Sequence, residues 1–339
     1  MQFQTITSFS DIDAQEWDRL LTASTIASPF LLYGYQSAWW SFLGGGEWEN
    51  AALNIVAARE DGELVGIAPL FTTNDNEGEE VHFVGSLEIS DYLDFIVSAD
   101  RADAFIRGVL DHIHTGSGHA PKFVLCNIAD NSPTIAVLNE LSRENSWDIL
   151  VENAYHTPAI ELADTWEDYL SGIDKKQRHE IRRKIRRAEG AEEDNVSWYF
   201  VDPQAGLDKA IPEFTRLMAF DPDKEAFLTE KMRGQMDAIM RWAADEGILQ
   251  LSFLTINGEN VAGYLCFDHA GQIWVYNSGF NPNSQYYSPG WVLLSYLIQD
   301  AIEKHRTHFD FMRGDEKYKY RFGAQDSFVM KAFIQRREN

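Results

Sequence analysis

Two stretches of this 339-residue chain follow one plan, and that repetition limits the folds open to it. AALNIVAAREDGELVGIAPLF (residues 51–71) and LQLSFLTINGENVAGYLCF (residues 249–267) each set an Asx-Gly pair between arms rich in β-branched, aliphatic and aromatic residues. Asp61-Gly62 and Asn257-Gly258 supply the positive φ that a two-residue hairpin turn needs, so each stretch predicts an antiparallel hairpin. The events after each hairpin also repeat. The first half continues with the strand-like EVHFVGS and DYLDFIV, a helical ADAFIRGVLDHIH, a strand KFVLCNI, a helix over residues 133–145 and a strand SWDILVE. The second continues with QIWVYNSGF, a helical PGWVLLSYLIQDAIEKH, a strand THFDFM and a closing strand FVMKAFIQR. Helices over residues 174–189, 205–220 and 227–246 precede its hairpin. A repeat at a spacing of about 196 residues implies duplicated domains rather than a short-period solenoid. The expected fold class is α/β with mixed sheets: residues 1–160 form one domain and residues 161–339 the other, with the boundary near residues 159–166.

Charge is distributed unevenly. The chain carries 53 acidic and 29 basic residues, a formal charge of −24, which keeps DNA and anionic lipid from most of its surface. Eight of the basic residues nevertheless fall in KKQRHEIRRKIRRAE, Lys175–Glu189. Ile181, Ile185 and Ala188 form an apolar seam on a helical wheel, so this segment docks as a helix. Lys175, Arg178, Arg182 and Arg186 then flank the seam, while Lys176, Arg183 and Arg187 point away from it. The flanking stripe suits phosphate oxygens. The N-terminal residues show no signal-peptide pattern and no run reaches the roughly 20 apolar residues of a membrane span, so the expectation is a cytoplasmic protein. Cys126 and Cys266 lie in apolar strand-like runs as small hydrophobes, and no histidine spacing points to a metal. Neither a GxSxG elbow nor a P-loop nor a Rossmann fingerprint is present, which removes the common hydrolase, kinase and dehydrogenase patterns.

Four motifs carry a resemblance to a known family: FDFMRGDEKYKYRFGA (residues 309–324), the basic helix, SPG at residues 288–290, and SDYLDFI at residues 90–96. Together they resemble the GNAT-fold proteins of the CelD-like, cellulose-biosynthesis acetyltransferase type, similar in fold to the Fem peptidoglycan aminoacyl transferases with their two GNAT domains in tandem. The resemblance spans nearly the whole chain. It implies acyl transfer with acyl-CoA (acetyl-CoA) as cosubstrate and no metal. One departure stands out: GFNPNSQYYSPG, after the central strand, lacks the Gly-rich pyrophosphate pattern of ordinary GNAT enzymes.

RGDEKYKYRFG is the densest chemistry in the chain. Read as an extended run, it places Asp315, Lys317, Lys319 and Arg321 on one side and Glu316, Tyr318 and Tyr320 on the other. Direct acyl transfer needs a neutral acceptor, a polarised carbonyl and a proton route. Lys319 is the expected positive group on the developing oxyanion or leaving group, Asp315 or Asp310 the base or orienting carboxylate, and Tyr318 a proton carrier. Arg313 and Arg321 are expected to bind substrate. Ser288 and Gly290 open a helix whose free amides hold phosphate, joined by Arg178 and Arg182. Tyr276, Asn277 and Ser278 are expected to line the acyl channel, and Asp91, Tyr92 and Asp94 to close the acceptor side at the domain junction. The leading expectation is an acyl-CoA-dependent N- or O-acyltransferase acting on a small molecule or polysaccharide precursor. A Fem-like transferase using aminoacyl-tRNA is the second reading, and a non-catalytic partner in polysaccharide synthesis the third.

Overall fold

A computed structural model of the chain describes residues 1–337 apart from 47, 49, 76–77, 86–88, 118–120 and 145. The chain divides into two compact units: Met1–His156 joined by Phe328–Asn339, and Thr157–Ser327.

In the first unit, β1 (Gln2–Ile6), α1 (Ala14–Thr22), α2 (Tyr33–Leu43), β2 (Ala52–Leu53) and β3 (Ile55–Glu60) lead to the predicted hairpin with β4 (Glu63–Ala68). Asp61 and Gly62 turn it with φ of 49° and 89°. The second arm then breaks at Pro69, which has no N–H to give a ladder, and the chain resumes as β5 (Leu70–Asp75) and β6 (Gly78–Phe83) in another sheet. Next come β7 (Ile96–Val97), α3 (Ala102–Ser117), β8 (Lys122–Ala129), α4 (Pro133–Leu141) and β9 (Trp147–His156). The first sheet is ordered β1-β3-β4-β7. In the other, β6 and β8 run parallel, as a helical crossover requires. The run DYLDFIV, expected as a strand, is mostly loop: only Ile96–Val97 pairs, antiparallel to β4.

The second unit holds β10 (Ala159–Glu161), α5 (Trp166–Gly172), α6 (Lys175–Glu189), β11 (Val196–Phe200), α7 (Leu207–Met218), α8 (Pro222–Phe227), α9 (Glu230–Asp245), β12 (Leu249–Ile256), β13 (Glu259–His269), β14 (Gln272–Phe280), α10 (Pro289–Glu303), β15 (His308–Asp310) and α11 (Lys317–Arg321). Its single sheet is ordered β10-β15-β14-β13-β12-β11. Asn257 and Gly258, at φ of 54° and 85°, repeat the turn of the first unit, and here the second arm runs unbroken for 11 residues. α10 crosses from β14 to the parallel β15. Val292, Leu293, Leu297, Ile298 and Ala301, each at most 2% exposed, bury it in the core, and each large aliphatic side chain contributes roughly 1.5–3 kcal/mol.

The closing strand β16 (Phe328–Arg336) departs from expectation. It was expected to complete the second domain, but it lies between β8 and β9 in the first unit's sheet, ordered β2-β5-β6-β8-β16-β9. Val329, Ala332 and Ile334 are fully buried there. Its apolar pattern marks a strand, and nothing local to those residues selects the partner.

Candidate active site

β14 and β15 pair over only three positions, Gln272–Trp274 against His308–Asp310. Beyond Trp274 the two strands part, and the edge of β14 from Tyr276 onward lacks a neighbouring strand on that side. Across β13 the register slips between Leu265 and Cys266, which leaves Tyr276 out of the ladder and increases the local twist. A pocket of about 470 Å³ opens at this parting, lined by Tyr264, Ser278, Phe280, Tyr318, Phe322 and the first turn of α10.

The helix start is open toward ligands. Ser288 occupies the N-cap in the left-handed region (φ 51°), and its hydroxyl makes no capping bond. Pro289 has no N–H, so the amides of Gly290 and Trp291 are the orphan donors at the positive end of a 15-residue helix. The two phenols lining the pocket are both held protonated. Burial raises the pKa of Tyr264 well above that of free tyrosine, although the Ser278 side chain hydrogen-bonds to it and acts in the opposite direction. Burial, helped by the nearby Glu316 charge, raises that of Tyr318.

The basic helix meets this pocket differently from its helical wheel. Its seam is as expected, with Ile181 and Ala188 buried. Arg178, however, donates to the carbonyls of Leu170 and Ser171 at 3.3 and 3.4 Å, and Arg182 pairs with Glu167. Both therefore tie α6 to α5. On the other flank, Lys184 sits 4.3 Å over the ring of Trp291, a pocket-lining residue, and burial lowers its pKa. Arg187, expected to point away, donates to the carbonyl of Tyr286 at 2.9 Å and lies 5.1 Å over that ring, in the loop between β14 and α10. The wheel locates the seam but not the neighbour covering each flank.

RGDEKYKYR also departs from its extended reading, because Lys317–Arg321 is a short helix. Lys319 is 2% exposed, and its Nζ donates to the carbonyls of Met312 (3.2 Å), Arg313 (2.9 Å) and Gly314 (3.0 Å) while pairing with Glu316 at 2.9 Å. It is thus the pin of the loop before α11, whose backbone turns through positive φ at Met312 and Gly314. Asp310, 7% exposed, accepts from the Met312 N–H at 2.6 Å and holds the same loop. Neither side chain lines the pocket; Tyr318 does. Asp315 and Arg321 are exposed and Arg313 is half-buried. Tyr276 packs on Phe267 at 5.3 Å. The Asn277 Oδ1 accepts from the Ser278 N–H at 2.8 Å and from Lys224 Nζ at 2.9 Å.

In the first unit, Asp91, Tyr92 and Asp94 are 7%, 7% and 1% exposed. The Asp94 carboxylate accepts from the hydroxyls of Ser132 and Thr134 and the Phe95 N–H, fastening the loop to the start of α4 rather than offering a charge to substrate. Burial outweighs these bonds and raises its pKa to about 6. Among the described residues there is no group of three or more His, Cys, Asp or Glu that could hold a metal, and no helix long and apolar enough to cross a membrane.

Residues 175–320, from α6 through the pocket to α11, match the family model described as "Acetyltransferase (GNAT) domain". The match covers less than half of the chain and lies wholly within the second unit. The parting strands and the crossover helix at the pocket fall inside the matched residues, and the first unit repeats their hairpin, helical crossover and parallel strand pair, so the chain is built of two similar α/β units in tandem. Solved structures share this fold over nearly the full length. FemX matches with a TM-score of 0.64 at 11% identity, covering 98% of this chain and 97% of that one. A conserved protein of unknown function from Bacteroides thetaiotaomicron matches at 0.62 and 13%, covering 99% and 100%. The C-terminal domain of a putative lysylphosphatidylglycerol synthetase from Agrobacterium fabrum matches at 0.56 and 8%, covering 98% and 93%. No curated protein matches the sequence.

Sequence reasoning missed Tyr264, Lys184, Trp291 and Lys224. Tyr264 and Trp291 sit in runs that read as plain core, and Lys184 lay between the two stripes of the wheel. Lys224 is one charge among several in PDKEAF, a helix too short to show a period.

Proposed function

We propose that the GNAT domain transfers an acyl group, acetyl in the simplest case, from acyl-CoA to an amine or hydroxyl acceptor, with a polysaccharide or cell-envelope precursor as the acceptor class. The observation that carries this reading is the pocket where β14 and β15 part, lined by two protonated phenols and opening on the first turn of α10. The Gly290 and Trp291 amides suit phosphate oxygens, and Lys184 and Arg187 add positive charge beside them. The Ser278 hydroxyl and the Tyr264 and Tyr318 phenols supply hydrogen-bond donors to the charge that develops on the carbonyl oxygen or departing thiolate as the acceptor attacks. Such preorganised donors are each worth about 10²–10³ in turnover. The raised pKa of the two phenols keeps them donors through the neutral range. Lys319 and Asp310 act by fixing the loop that carries Tyr318.

An aminoacyl-tRNA donor is the second reading, favoured by the fold shared with FemX along both units and by the arginines of α6. Isothermal titration of the full chain with acetyl-CoA, free CoA and charged tRNA separates the two. The first reading expects saturable binding of acetyl-CoA that weakens in Lys184→Gln, together with slow transfer to a panel of primary amines that falls in Tyr318→Phe at unchanged donor affinity. Binding of charged tRNA without acetyl-CoA overturns it in favour of the second.

A further inference from the structure

A second pocket, of about 220 Å³, shares Ser278 and Phe280 with the first and is otherwise formed by the end of α7, the start of α8 and Pro282. The single amine in its lining is Lys224, on α8. Its Nζ donates to the Ser278 carbonyl at 2.6 Å and to Asn277 Oδ1 at 2.9 Å. Asn277 Oδ1 also accepts the Ser278 N–H. The backbone edge of Ser278, which the missing strand would otherwise satisfy, is therefore held by these two side chains. Both acceptors of Nζ are neutral amide oxygens, and among the described residues they are its only hydrogen-bond partners. Two N–H bonds and Cε use three of the four tetrahedral positions on nitrogen, leaving one for a lone pair or a third proton.

We propose that Lys224 is the general base of the transfer, taking the proton of the attacking amine or hydroxyl from this second pocket while the acyl donor lies in the first. The inference rests on the acyltransferase reading above. In the step, the acceptor X–H bonds through X to the acyl carbon, the C–S bond breaks, the proton of X passes to the Nζ lone pair, and the thiolate leaves against the Tyr318 and Ser278 hydroxyls. Solvent then returns the ammonium to the amine and protonates the thiolate. Environment supports the assignment: burial lowers the proton affinity of Lys224 despite the opposing charges of Asp221 at the α8 cap and Glu316 at the α11 cap. The phenols across the shared wall are shifted the other way, a divergence that separates proton acceptors from donors.

The decisive experiment needs no known acceptor. The full-length protein is labelled with trace acetic anhydride from pH 6 to 11, and peptide mass spectrometry follows Lys224 against the exposed Lys175, Lys176 and Lys317. The expected result is a labelling midpoint for Lys224 below those of the three reference lysines. A midpoint equal to or above theirs, which would make Lys224 a charged anchor for an anion, overturns the proposal. So does the absence of label at every pH, since a base must be reachable. With acetyl-CoA and an amine that the wild type accepts, Lys224→Ala should lower kcat by about 10²–10⁴ at unchanged KM for acetyl-CoA and flatten the acidic limb of the pH profile. Added methylamine should restore part of the rate, a rescue that a merely structural lysine would not show. If the wild type fails to bind acetyl-CoA, the acyltransferase reading fails and the labelling result still decides the state of Lys224. If it turns over and Lys224→Ala matches it, only the base assignment falls.

Discussion

Lys319→Met should unfold the site loop and cost the second unit much of its stability. The wild-type ammonium satisfies three backbone carbonyls and one carboxylate from a position 2% exposed. Methionine fills similar volume but leaves the carbonyls of Met312, Arg313 and Gly314 without their donor, and each buried acceptor so orphaned costs about 1–3 kcal/mol. Glu316 is exposed and regains water. Allowing for one or two carbonyls recovering water as the loop relaxes, the loss is about 3–5 kcal/mol, similar to removing one member of a buried charged pair. For a unit of this size that shifts the midpoint of thermal unfolding by roughly 10 °C. Lys319→Arg should recover little, because a planar fork cannot converge on three carbonyls as a compact ammonium does. Urea denaturation followed by tryptophan fluorescence reads the loss, with Trp291 beside the pocket as one reporter. Lys319→Met with an unchanged urea midpoint would refute the pin; if its turnover alone fell by a thousandfold, Lys319 would return to the reacting centre.

Three further outcomes are expected. A Cβ on Gly279 would lie 2.4 Å from Met218 N and 2.5 Å from the Leu217 carbonyl carbon, both backbone atoms, so Gly279→Ala should push α7 off β14, lower stability by about 1–3 kcal/mol in urea and weaken ligand binding in both pockets. Asp94 has a folded pKa near 6, above its unfolded value, so its contribution favours the fold below about pH 4 and is lost as pH rises through 6; Asp94→Asn should flatten the stability profile over that window, by about 3 kcal/mol at most, as measured by urea titrations from pH 4 to 7. Changing Lys184 and Arg187 together to Gln should weaken an anionic donor and reduce its salt dependence, whereas the same change at Arg178 and Arg182 should loosen α6 from α5 with little effect on donor affinity; calorimetry across a salt series compares the two, and equal losses would mean that α6 acts only through its overall field.

The parts of the fold legible in the sequence are those fixed by local chemistry. Asp61-Gly62 and Asn257-Gly258 announce their hairpins because few residues adopt those angles. PGWVLLSYLIQ announces a buried helix because no face of it is polar. Pairing across long stretches of chain is a different matter: β16 reads as a strand but its neighbours β8 and β9 lie far back in sequence, and only their combined apolar faces select it. The site follows the same division. Tyr318, Ser288 and Gly290, singled out through their motifs, line the first pocket. Lys319 was recognised as unusual, but the alternation of an extended run gave it the wrong direction, since helix α11 and the positive φ of Met312 and Gly314 turn its amine onto its own loop. Lys224 gave no sequence signal because its partners, Asn277 and Ser278, lie more than fifty residues downstream.

The placement of β16 makes the two units unequal in what each needs to close. The chain leaves the first unit after His156, completes the second, and only then supplies the strand that fills the gap between β8 and β9. Thr157 and Ser327, the two ends of the second unit, are hydrogen-bonded to one another, N–H to carbonyl at 2.8 Å. That unit can thus close on its own residues, whereas the first needs β16 and without it leaves β8 and β9 unzipped with their apolar faces open. A released chain truncated before Phe328 should therefore hold a protease-resistant second unit and a digestible first unit, and chaperones that mask unpaired strands would act on the half of the protein made first.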